Sequence, residues 1–370
     1  MKLIGWISPQ GEYSEKPLLG MSSSEYVARA MAGCGASMAV RCGSFENADV
    51  ALVVRSDAPG LTTETLQGLA SVTAGMSARP SVLMAQNLQT PLAVAMDMET
   101  LQAATEGESA LPSVDRIIEN LNGKGVALRV WHDGRSDTYY TVEDAQGFAE
   151  AFSALNAVNV QKHMAAGVIV LSPDRVVIED GVKLGKGTMI YAGNLLCGHT
   201  VVGQNCMLYP GNRLLNATVG DGATIESSVL LDCAVGRGAC VGPFAYLRAQ
   251  TKVGDHCRVG GFVETGNSTL GEGAKVAGLS SIIGSDVGKN ARLGHGVALV
   301  SAADADGRCI VDDDATIGCN CNLIAPAHIG KNAYLAAGST VVEDVPADAL
   351  FVARPRGVVK ENWDARTEEP

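Results

Sequence analysis

From Leu184 onward the apolar positions recur every six residues, with Leu184, Ile190, Leu196, Val202, Leu208 and Leu214 keeping the interval unbroken. After a slip of one residue the series resumes at Val219 and Ile225, continues from Val235 to Val259, and returns from Val287 to Val341. An α-helix repeats every 3.6 residues and a half-buried strand every two, so neither carries this pattern. One aliphatic residue, then a small one, then Gly, Asn or Asp describes a short parallel strand and a corner, the hexapeptide β-helix repeat. Breaks in register at Glu264 to Ser268 and at Ser301 to Arg308 predict loops ejected from the coil, which in solenoids tend to line the binding face.

Proteins with this repeat build one triangular coil from three hexapeptides and wind it left-handed, an exception to the right-handed crossover rule, so the resemblance to them implies a left-handed parallel β-helix of roughly nine coils. Ahead of it, the period changes to that of a helix. Glu143 to Ala166 carries Phe148, Phe152, Leu155 and Val158 on one face and stops at Gly167, which reads as an amphipathic linker helix. Further upstream, ADVALVVRSD reads as a buried strand, LTTETLQGLASVTAG as a capped helix and RPSVLMAQ as another strand. That alternation predicts a small α/β domain. The expected organisation is an α/β domain over 1–140, a linker helix over 141–170, the β-helix over 171–345 and a C-terminal tail over 346–370.

Composition sharpens this picture. Of the 370 residues 43 are Gly and only 5% are aromatic, which suits many short, tightly turning strands filled by aliphatic side chains. A net charge of −12 excludes nucleic acid as an expected partner, because a phosphate backbone is held by clustered Lys and Arg. The opening MKLIGWISPQ is too short an apolar run for a signal-peptide core or a membrane span, so no membrane partner and a cytoplasmic location are expected. Of the ten cysteines, Cys206, Cys240, Cys257 and Cys309 stand at or beside solenoid positions, where a reduced thiol behaves as a small hydrophobe. Cys319 and Cys321 should face opposite ways and make a poor zinc pair.

The run GPFAYLRAQTKVGDHCRVGGFVETGNSTLGEGAKVAGLSSIIGSDVGKNARLGHG and the closing NLIAPAHIGKNAYLAAGSTVVEDV resemble the bifunctional N-acetylglucosamine-1-phosphate uridyltransferase and glucosamine-1-phosphate acetyltransferase family. The likeness covers about Asn156 to Trp363. Upstream it extends in pieces: VVRSDAPGLTTETL, PLLGMSSSEYVARAM and YTVEDAQGFAEAFSALN resemble segments of the family's nucleotidyltransferase domain. The resemblance implies a reduced nucleotidyltransferase-like domain, a homotrimer, acetyl-CoA as cofactor, magnesium in the first domain, and a sugar phosphate or nucleotide sugar as small-molecule partner. It places Asp57 on the family's magnesium-binding aspartate and Glu143 where a second magnesium ligand is expected. Arg248, Glu264, Ala337 and Arg354 match family site residues for the sugar phosphate or acetyl-CoA.

Other family positions differ. MKLIGWISPQGEYSEK stands where the family has a glycine-rich triphosphate loop. The general-base histidine is replaced by Gly278, the sugar-phosphate lysine by Gly266, a tyrosine by Ser281, and the Asn-Tyr pair near the cofactor by Ser301 and Ala302. Arg292 replaces a sugar-site asparagine, Cys319 a cofactor-contacting serine, and His295 a small residue on the acetyl-CoA wall. Two readings follow. One is an acyltransferase of altered chemistry in which His295 serves as catalytic base, since an imidazole titrates near neutral pH. The other is a non-catalytic paralogue that binds a nucleotide sugar or regulates an active homologue. A γ-type carbonic anhydrase needs three His at metal spacing, and His256, His295 and His328 are too dispersed for it.

Overall fold

The computed structural model describes residues 1–39, 48–75, 79–84, 90–134, 139–300, 307–353 and 359. The chain divides into two compact units, Met1–Asn159 and Val160–Pro370. No helix among the described residues is long and apolar enough to cross a membrane.

The first unit is built on a six-stranded mixed sheet in the order Ala36–Met38, Leu3–Ser8, Val50–Arg55, Pro91–Met96, Ser81–Met84, Arg129–Trp131. Val50–Arg55 is buried along its whole length because helices cover both faces of the sheet. Its alternate residues go to opposite cores, as the period of two requires. Leu52 and Val54 meet Val27 and Met31 of helix Ser23–Gly33 and Leu66 and Leu69 of helix Thr63–Gly75. Ala51 and Val53 meet Leu101 of helix Met98–Thr105 and Ile117 and Leu121 of helix Val114–Gly123. The helix starts are encoded locally. Ser22 and Glu25 form a reciprocal capping box, and Thr62 Oγ1 accepts from the Thr65 N–H.

The linker helix spans Ala145–Ala165 and ends at Gly167, whose φ of 92° lets the chain turn out of the helix. Phe148, Phe152 and Leu155 pack with Leu18, Val142 and Ala151 as the pattern predicts. Val158 does not join them; it is 64% exposed.

In the second unit every pairing between coils is parallel, and the strands stack into faces of ten, nine and eleven. The six-residue period therefore maps onto three sides of a solenoid, the architecture of hexapeptide β-helices. One coil advances eighteen residues from Met189 to Met207 and seventeen from Met207 to Thr224, which absorbs the slips seen in the sequence. The inward aliphatics form continuous columns, such as Ile190, Leu208, Ile225, Val241 and Val259, all buried. Each contributes about 1.5–3 kcal/mol of burial. Corners fall where a residue adopts a left-handed backbone, commonly Asn, as at Asn205, Asn290, Asn320 and Asn332. Cys321 is buried and Cys319 exposed, facing apart as predicted, while Cys240 is exposed and not a core thiol. The expected loop at Glu264 to Ser268 is not ejected. Glu264–Gly266 is a strand paired with its neighbours in both adjacent coils, and the coil is one residue short at its corner. The other expected loop lies largely outside the described residues, at 301–306.

Candidate functional site

A cavity of about 1060 Å³ forms a groove on the eleven-stranded face of the solenoid. Strand ends and corners of successive coils bring Arg292, His295, Cys319 and Ala337 into it. Its walls are kept low by Gly260, Gly278, Gly294 and Gly318, which leaves an elongated trough suited to a long, narrow ligand. Arg354, expected on the same wall, lies outside the described residues, as do Ser301 and Ala302.

His295 lies on the corner one coil beyond Gly278, and its imidazole occupies the space a side chain at 278 would enter. A Cβ built on Gly278 would sit 3.5 Å from His295 Nδ1 and only 2.8 Å from the Gly261 carbonyl oxygen. His295 is exposed, and its ring has no hydrogen-bond partner among the described residues. Arg248 and Glu264 are brought together, but on the ten-stranded face. They form an ion pair at 3.1 Å, Nε to Oε1, on neighbouring coils. The guanidinium also lies against Gly266, where a Cβ would come within 3.3 Å of Nε. The space beside Gly266 is thus partly filled by Arg248. Within one subunit this pair does not line the groove that holds Arg292 and His295.

Asp57 and Glu143 also converge, on a guanidinium. Arg55 donates from Nε and Nη2 to the two Asp57 oxygens at 3.0 and 2.7 Å, and from Nη2 to Glu143 Oε1 at 2.6 Å. Asp115 completes the cluster at 3.4 Å. Burial alone would lower the Arg55 pKa, but hydrogen bonding and charge from Asp57, with Glu143 and Asp115 behind it, hold it above the ordinary value. The carboxylate oxygens that would bind magnesium are therefore engaged by a fixed cation. No group of three or more His, Cys, Asp or Glu able to hold a metal occurs among the described residues. These residues do not fit a magnesium site while Arg55 stands between them. The signal for this was in the sequence, since Arg55 precedes Asp57 by only two residues in VVRSD, at the end of strand Val50–Arg55.

No family model matches the chain. The Bifunctional protein GlmU of Geobacillus sp. (strain WCH70) is 39% identical over 249 residues, 67% of this chain and 54% of that protein. The Bifunctional protein GlmU of Exiguobacterium sibiricum is 37% identical over 259 residues, 70% of this chain and 57% of that protein. The chain is a divergent GlmU-like protein. It spans little more than half the length of these curated relatives. Among solved structures, the UDP-N-acetylglucosamine acyltransferase of Campylobacter jejuni is 17% identical, covering 49% of this chain and 70% of that one at a TM-score of 0.32.

The groove also contains two cations outside the site residues matched to the GlmU family, Arg258 and Lys275. Their signal is a spacing of one coil: Arg258, Lys275 and Arg292 are each seventeen residues apart.

Proposed function

We propose that the groove on the eleven-stranded face binds acetyl-CoA together with a sugar phosphate or nucleotide sugar, and that the residues which ordinarily drive the GlmU acetylation are missing from it. The observation that carries this reading is the convergence of Arg292, His295, Cys319 and Ala337 in one trough of about 1060 Å³. Acetyl-CoA would lie along the small-residue wall at Cys319 and Ala337 and supply an activated thioester. Arg292 would hold an anionic acceptor, since a guanidinium binds phosphate through paired hydrogen bonds without help from a base.

An amine acceptor must lose a proton before it attacks a thioester. Gly278 cannot take that proton, and His295 is the titratable ring nearest the vacated position. His295 is therefore the candidate base. A non-catalytic paralogue that binds the same ligands is the second reading, favoured by glycine at both 266 and 278. Arg248 and Glu264 stand on another face, so they would join the site only from a neighbouring subunit. The ten-stranded face supports such a homotrimer. It presents Leu215 beside Leu231 and, on coils beyond Arg248, the exposed Val300 beside Ile324, two apolar patches suited to burial against a second copy.

Calorimetric titration of acetyl-CoA, followed by a thiol-release assay with glucosamine 1-phosphate, tests the reading. Binding with turnover lost in His295→Ala supports the altered enzyme, and binding without turnover supports the paralogue. Failure to bind acetyl-CoA contradicts both. A monomer by light scattering at micromolar concentration contradicts the trimer.

A further inference from the structure

The outward residues that follow one another in register on the eleven-stranded face run Thr224, Cys240, Arg258, Lys275, Arg292, Thr316. Three cations thus stand directly beside one another on three successive coils. Neighbouring strands lie about 4.8 Å apart, so the row spans roughly 10 Å. Like charges placed directly opposite each other destabilise a sheet, and a chain of net charge −12 has ample carboxylates to relieve them. It does so elsewhere on the solenoid: Arg237 pairs with Asp255, Lys289 with Glu272 and Arg308 with Asp286. Among the described residues no carboxylate pairs with Arg258, Lys275 or Arg292, and all three are exposed in the groove.

A second feature borders the row. Phe244, Phe262 and Leu279 occupy equivalent corners of three successive coils, linked by backbone hydrogen bonds from Phe262 to the Pro243 carbonyl and from Leu279 to the Gly261 carbonyl. Their φ values of 61°, 57° and 61° lie in the left-handed region, where a bulky apolar residue is a genuine outlier and the other non-glycine solenoid corners use polar residues, most often Asn or Asp. The three side chains are 56%, 62% and 69% exposed, and the two phenyl rings stack at 5.1 Å. Strained backbone that displays apolar surface to water, next to unneutralised charge, is the kind of cost that persists at ligand sites.

We propose that the Arg258–Lys275–Arg292 row holds a diphosphate group, and that Phe244 and Phe262 receive a planar group attached to it. A single phosphate is too short to meet all three cations, whereas two adjoining phosphoryl groups can bridge the row through charge-assisted hydrogen bonds. The inference rests on the groove being a ligand site, as proposed above, but requires no acyl transfer.

Calorimetry on the full chain at constant ionic strength, with sodium pyrophosphate, orthophosphate and ADP as probes, tests it. Pyrophosphate and ADP should bind at least tenfold more tightly than orthophosphate. Lys275→Gln, at the centre of the row, should weaken both by tenfold or more, Lys275→Arg should restore them, and Lys252→Gln on the nine-stranded face should change neither. Phe262→Asn should weaken ADP and leave pyrophosphate unchanged, which separates a nucleotide from a free diphosphate. Equal affinity for orthophosphate and pyrophosphate, or no effect of Lys275→Gln, overturns the proposal. ADP binding untouched by Phe262→Asn removes the aromatic platform. Absence of acetyl-CoA binding or thiol release with this pattern intact would defeat only the acyltransferase reading.

Discussion

The two units treat buried and clustered charge in opposite ways. In the α/β unit, Arg55 is gathered under three carboxylates and its hydrogen bonds are satisfied within the fold. On the solenoid, three cations stand in register with no carboxylate paired to them among the described residues, although Glu226 lines the same groove, and the His295 ring has no hydrogen-bond partner there. A neutralised cluster explains itself as structure, because its charges stabilise one another. An unneutralised row costs stability in the isolated chain and is accounted for by something that arrives from outside. The resemblance to GlmU proteins suggests a site in each unit, yet of the two candidate sites it is the solenoid groove whose described cations are left unpaired.

Breaking the first half of this contrast should have the largest effect. Asp57 is 1% exposed, so Arg55→Ala leaves a buried carboxylate without its cation and should destabilise the first unit by about 3–5 kcal/mol. In denaturant unfolding followed by circular dichroism, one transition should move and the solenoid transition should stay. No shift would mean that Arg55 is not structural and that the carboxylates remain free for a metal. The complementary change is Leu230→Ala in the fully buried solenoid column, expected to cost about 2–5 kcal/mol and to move only the other transition.

Phe262→Asn sharpens the second half. A corner that relaxes a bulky left-handed residue should stabilise the free protein by up to about 1 kcal/mol, read as a rise in thermal midpoint without ligand. A loss of stability would show that the Phe244–Phe262 stack is structural. The smallest effect concerns pH. Burial, with Asp232 nearby, pushes the Cys233 thiol up to about 12 from an ordinary value near 9. The unfolded thiol ionises first as pH rises, so the contribution is complete below pH 9 and lost between there and about 12. Cys233→Ala should flatten the decline of the melting temperature over that window, and an unchanged profile would assign the decline to other groups.

Much of the fold was legible because its period is local. The hexapeptide columns from Leu184 to Leu214 specify strand and corner without reference to distant residues, and the helix ending at Gly167 carries its own stop signal. Glu264 to Ser268 misled because a single missing residue breaks the count along the chain yet is absorbed at one corner in space. Val158 misled because an apolar residue in helical register need not find a partner. The site was legible where motifs were contiguous. His295, one coil beyond Gly278, was legible from the repeat length, whereas the Arg258–Lys275–Arg292 row was opaque because it depends on three residues that become neighbours only when the register of successive coils is fixed. Arg55 was passed over for a different reason, since a cation beside two candidate metal ligands becomes an objection only when its hydrogen bonds are visible.

The central claim, that the solenoid groove is a ligand site, is tested most directly by titrating acetyl-CoA into the full chain and into Ala337→Trp. Ala337 is exposed on the groove wall, so the indole fills the trough without disturbing the core. The account predicts saturable binding to the native chain that falls at least tenfold in Ala337→Trp, with both proteins melting at the same temperature. No binding to the native chain, or equal binding to the two, would contradict it.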